Sequence, residues 1–87
     1  MEGKTMTRMI TVALFEDRYG SSSIRAFTSM EAAWEWRCEL ADEWWSDEFP
    51  DEIPPEDSEE KADEYFDRMA ERREFFTAEK VLLEGYA

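Results

Sequence analysis

The sequence predicts an α+β domain of order ββααβ, a small three-stranded β-sheet packed on one face by a helical hairpin. Three observations carry that expectation. Residues 9–15 (MITVALF) alternate in the manner of a strand, with Ile10, Val12 and Leu14 on one face and Thr11 and Ala13 on the other. Residues from about Ser29 to Trp45 gather their apolar side chains on one helical arc. Pro50, Pro54 and Pro55 then bar a regular helix between Phe49 and Glu56, which separates two helices by a connector. Eighty-seven residues give one domain with a single modest core, expected over 1–87. Residues 1–8 are expected as a flexible tail and residues 46–57 as the acidic connector.

The elements follow in order. EDRYGSS supplies turn chemistry around Gly20, and SSIRAFT, from Ser22 to Thr28, reads as the second strand of a hairpin. Thr28-Ser29-Met30-Glu31 matches a capping box, in which a hydroxyl and a carboxylate satisfy free amide donors at a helix start. In the first helix Met30, Ala33, Trp34, Trp36, Leu40, Ala41, Trp44 and Trp45 share one arc, and Glu31, Glu35, Glu39, Asp42 and Glu43 share the opposite one. Arg37 falls within the apolar arc, so its stem is expected to lie along the core with its head paired to a local carboxylate. Asp57 or Ser58 is placed to cap a second helix reaching about Arg72, with Ala62, Tyr65, Phe66, Met69 and Ala70 facing the core. Residues 75–85 (FFTAEKVLLEG) are strand or short helix, and the alternation of Val81 and Leu83 favours a strand. A helical hairpin would bring this strand back parallel to the first. The sheet order is then 1-2-3 or 3-1-2.

Charge is distributed unevenly. Residues 1–30 carry three acids and four bases, residues 31–67 sixteen acids against Arg37 and Lys61, and residues 68–87 four of each. The net charge of −13 therefore belongs to the middle segment. Its densest part, DEWWSDEFPDEIPPEDSEE, interleaves acidic pairs with Trp44, Trp45, Phe49 and Ile53. Apolar residues at 43% and aromatics at 15% nonetheless exclude a disordered polyelectrolyte. Glu31, Glu35 and Glu39 repeat at i, i+4 with no base among them, and each such like-charge pair destabilises a helix by roughly 0.2–0.5 kcal/mol. Glu64 and Arg68 form the one favourable pair at that spacing on the second helix. A surface chosen only for solubility intersperses both signs, so this pattern indicates selection for negative potential.

Catalysis finds little support. The chain has no histidine, and its serines at 21, 22 and 23 have no base to activate them. Cys38 is the only cysteine, which excludes an internal disulfide and suits a reducing cytoplasm. No EF-hand spacing is present, and no metal or other cofactor is expected. The apolar run from Ile10 to Phe15 is too short for a signal-peptide core or a membrane span. The expectation is a non-enzymatic cytoplasmic protein that binds no membrane and no nucleic acid, because phosphate affinity comes from Lys and Arg.

An acidic surface suits a basic partner. The candidate contact residues are Glu31, Glu35, Glu39, Asp42, Glu43, Asp47, Glu48, Asp51, Glu52, Glu56, Asp57, Glu59, Glu60, Asp63 and Glu64, with Trp45 and Phe49 as candidate apolar anchors. Carboxylates at i, i+4 on a helix lie about 6 Å apart along its axis, a spacing comparable with the phosphate charge density of duplex DNA. In size, in lacking catalytic residues, and in the one-sided acid pattern from Glu31 to Asp67, the chain resembles the small acidic anti-CRISPR and anti-restriction inhibitors of phages and other mobile elements. That resemblance implies a DNA mimic that acts in the cytoplasm of a bacterial host. It would block the DNA-binding site of a CRISPR effector complex, which holds its duplexes in a positively charged channel. A restriction enzyme, or the basic partner of an antitoxin or adaptor, is the alternative. A monomer is expected, although edge pairing through residues 9–15 or 22–28 offers a route to a homodimer.

Overall fold

The computed structural model describes the backbone of residues 5–86 and the side chains of residues 9–82. Five main elements follow in the order ββααβ: β1 (Thr5–Glu16), β2 (Ser22–Phe27), α1 (Met30–Glu48), α2 (Ser58–Met69) and β3 (Phe75–Tyr86), with a 3-10 turn at Ala70–Arg72. Residues 75–86 are strand. β1 begins at Thr5, inside the segment expected as a tail, because its first residues pair with the end of β3, Thr5 opposite Tyr86. Residues 1–4 lie outside the described backbone. Ser29 rather than Thr28 caps α1, its hydroxyl accepting from the Ala32 amide at 3.1 Å. α1 continues to Glu48, so the connector narrows to 49–57. Asp57 caps α2 by accepting from the Glu60 amide at 3.0 Å.

The sheet order is β2-β1-β3, and both outer strands run antiparallel to β1. This corrects the expected direction of the last strand, and the cause lies in the helices. The start of α2 (Ser58, Glu59) lies beside Met30–Glu39 of α1, whereas Arg68 reaches Trp45 and Phe49 and Arg72 reaches Glu48. The two helices thus run in the same sense and are not a hairpin. The connector makes the return journey. Its Glu52 carbonyl accepts from the Trp45 indole at 3.2 Å, near the far end of both helices, and six residues later α2 begins at the near end. Six extended residues span about 20 Å, and twelve helical residues rise about 18 Å, so the lengths match. Pro54 and Pro55 hold this segment extended, since proline fixes φ near the polyproline value. α2 therefore ends where β1 ends, and β3 leaves from there in the opposite direction to β1.

Residues facing one another across the register share a face. Thr11, Ala13 and Phe15 of β1, with Phe27, Phe76 and Ala78 beside them, meet the helices. Ala33, Trp36, Leu40, Ala41 and Trp45 of α1 and Ala62, Tyr65, Phe66 and Met69 of α2 complete that core. Its aromatic rings meet edge to face, Phe15 with Trp36 at 6.5 Å and with Phe66 at 6.2 Å between centroids. Trp34, expected in the core arc, is 43% exposed, and Ala70 is exposed as the helix gives way to the 3-10 turn. The other face of the sheet carries Ile10, Val12 and Leu14 with Ile24, Phe75 and Val81, and among the described residues no element covers it.

Candidate acidic interaction surface

Burial of the Trp36–Leu40–Trp45 arc turns the opposite side of α1 to solvent, and Glu31, Glu35, Glu39, Glu43 and Asp47 form an exposed stripe along it at intervals of four residues. Asp51 and Glu56 continue the exposed acids through the connector, and Glu59 and Glu60 through the first turn of α2. Negative charge at a helix N-terminus is stabilised by the helix dipole by about 0.3–1 kcal/mol, which favours Glu31, Glu59 and Glu60 where they stand. Ile53, at the centre of the connector, is 94% exposed.

Apart from Asp57, which caps α2, the predicted acids divide into two groups. Asp42 pairs with Lys61 at 2.9 Å and Asp63 with Arg37 at 2.9 Å, tying α1 to α2. Glu52 meets Arg68 at 2.8 Å, and the same guanidinium holds Glu64 at 2.6 Å. Glu48 is clamped between Arg18 and Arg72, and its side chain is only 4% exposed. These five carboxylates brace the fold, and Glu48 is withdrawn from any contact surface. No ion pair among the described residues engages Glu31, Glu35, Glu39, Glu43, Asp47, Asp51, Glu56, Glu59 or Glu60. Trp45 is 3% exposed and cannot act as a surface anchor, because its ring closes the core beneath Phe49 at 4.9 Å between centroids. Phe49 is half-buried against Tyr65. Arg37 lies along the core as expected, its guanidinium 4.8 Å from the Trp34 ring and 5.3 Å from the Phe66 ring, but its carboxylate partner is Asp63 on the neighbouring helix and not a local one.

Between the N-terminal halves of the helices lies an open groove of about 730 Å³, with Met30, Trp34 and Cys38 in its lining and Glu31, Glu35, Glu39 and Glu59 along it. Burial, helped by Glu59, Asp42 and Asp57 and opposed by Arg37, pushes the Cys38 thiol above its ordinary value. The thiol therefore stays protonated at neutral pH and is a poor nucleophile. Among the described residues no group of three or more acidic or sulfur side chains converges to hold a metal ion, and no helix is long and apolar enough to cross a membrane.

One polar cluster left no mark in the sequence. Glu74 is 4% exposed, its carboxylate accepting from the Tyr65 hydroxyl and from the Arg18 amide at 3.4 Å. Glu48, bonded to the Arg18 guanidinium, holds that side chain firmly charged. The partners are distant in sequence, so no local spacing announces them. No family model, curated protein or solved structure matches the chain.

Proposed function

We propose that this protein is a non-catalytic inhibitor whose acidic helical surface stands in for DNA phosphates on the DNA-binding site of a CRISPR effector complex. The observation that supports this reading is the uncompensated stripe Glu31, Glu35, Glu39, Glu43 and Asp47, with Glu59 and Glu60 on the neighbouring helix. Both bases of the middle segment, Arg37 and Lys61, are spent on Asp63 and Asp42. The acids of the stripe are therefore left without a compensating base. Such a surface repels DNA and attracts the Lys- and Arg-lined channel that DNA occupies, with association steered by the field. The helices and the stiffened connector hold these charges in a fixed array, which a disordered acidic tail would not do.

The test is a mobility shift of target DNA on purified CRISPR effectors, with restriction enzymes as a second panel. Protein added at low salt should displace DNA from a susceptible effector. The quadruple reversal Glu31→Lys, Glu35→Lys, Glu39→Lys and Glu43→Lys should lose displacement by at least tenfold with an unchanged far-UV spectrum. Displacement confined to restriction enzymes would move the target to that class. Equal inhibition by the reversed variant would overturn the role of the surface.

A further inference from the structure

Along β1, the central strand, the side away from the helices carries the larger share of aliphatic side chains. Along β1 the helix-covered positions are Thr11, Ala13 and Phe15, while Ile10, Val12 and Leu14 point to the uncovered side. Ile24 of β2, directly opposite Leu14, is 71% exposed, and Phe75 at the start of β3 is 43% exposed. Val81 lies opposite Ile10. Ile10, Val12, Leu14 and Val81 are half-buried with no helix over them, and Ile24 and Phe75 stand in water, which runs against the hydrophobic effect unless something covers this face.

We propose that this face packs against the same face of a second copy of the chain, in a sheet-to-sheet homodimer. Charge selects the occupant. Among the described residues the carboxylates on this side are Glu16, at the end of β1, and Glu79, on the β3 edge, and the central row Ile10, Val12, Leu14 is uncharged. The acidic helices lie on the opposite side of the sheet, so a basic partner of the kind proposed above would be drawn to that side. Back-to-back packing places the two acidic surfaces outward. Stacked sheets lie about 10 Å apart, and each helical layer adds a diameter of about 10 Å. The two acidic surfaces are then roughly 30 Å apart, beyond the screening length of about 8 Å at physiological salt. Three strands spaced about 4.8 Å apart, continued as a two-stranded ribbon, offer on the order of 1,000 Å² to the pair, the size of a reversible contact. The dimer is therefore concentration-dependent. It presents two outward acidic surfaces, each able to take a target.

Sedimentation equilibrium across the micromolar to submillimolar range reads this directly. The mass should rise from the 10.4 kDa of one chain toward twice that value. Raising NaCl from about 0.05 to about 0.5 M should tighten the dimer by screening the repulsion of Glu16 and Glu79 on the packed faces. The same change should weaken docking on a basic target, so the two contacts separate by the sign of their salt dependence. Ile24→Lys, at a position already facing water, should raise the dissociation constant at least tenfold with an unchanged far-UV spectrum. Val12→Lys should do the same from the central strand, while Trp34→Ala on the helical side should leave the dimer intact. A wild type that stays at the monomer mass throughout overturns the proposal. So does a dimer that survives Ile24→Lys, or one lost on Trp34→Ala.

Discussion

Tyr65 and Glu74 show how a single buried contact shapes the response of the protein to pH. Burial, reinforced by the hydrogen bond to Glu74, pushes the Tyr65 hydroxyl well above its ordinary 10.0. The unfolded chain releases that proton from about pH 10 and the folded chain does not. Tyr65 therefore contributes stability below pH 10 that is lost as pH rises, at about 1.4 kcal/mol per pH unit. Tyr65→Phe should remove this component of the alkaline loss. At neutral pH the same change should cost about 2 kcal/mol, because the buried Glu74 carboxylate forfeits its closest donor. Urea titrations at pH 7 and pH 11 measure both effects. A second residue-scale feature is Arg73, the one described non-glycine residue at positive φ, 65°. The Glu74 amide donates to the Met69 carbonyl at 3.0 Å and the Arg73 amide to the Ala70 carbonyl at 3.1 Å, a Schellman close in which glycine is the favoured residue at the left-handed position. Arg73→Gly should stabilise by about 0.5–1 kcal/mol, the relief of left-handed strain less the added freedom of the unfolded chain. Thermal denaturation would register a higher midpoint.

At the scale of the elements, the connector decides the topology. Its prolines were legible in the sequence as a break between helices, and its direction was not, because a break of nine residues serves a tight hairpin or a full return equally well. The return is set by contacts that only the folded chain brings together, the Trp45 indole on the Glu52 carbonyl and Arg68 on the Glu52 carboxylate. Replacing Pro54 and Pro55 together by Ala should lower stability by about 1–2 kcal/mol through the entropy of the unfolded chain. The far-UV spectrum should not change, and a guanidinium titration measures the loss. The strands teach a similar lesson. Alternation in MITVALF revealed two faces but not which one the helices take. Trp36, Tyr65 and Phe66 are large, and a close-packed layer beneath them has room for Thr11 and Ala13 rather than for a row of Ile, Val and Leu. Shape complementarity across the layers overrode the ranking by hydrophobicity.

Across the whole molecule, charge and apolar surface are segregated, with acids on the helical side and uncovered Ile, Val and Leu on the other. The acidic surface was legible because a run of like charge needs no tertiary information. What the sequence did not divide was bracing acids from free ones, since Glu48 and Glu43 look alike until Arg18 and Arg72 arrive from other elements. Self-repulsion of the free acids opposes folding, and salt screens it. The thermal midpoint should therefore climb as NaCl is raised from about 0.01 to about 0.5 M, where a protein with balanced charge would respond little. The pairing of the first strand with the last has a further consequence. Partners across β1 and β3 are separated by 59 residues at Glu16–Phe75 and by 81 at Thr5–Tyr86. The sheet therefore cannot close until the ribosome has delivered β3, and at about 5–20 residues per second the edge of β1 away from β2 stays open for several seconds. What emerges during that wait is the acidic middle of the chain, whose like charge opposes the approach of neighbouring nascent chains while the open edge of β1 lacks its partner.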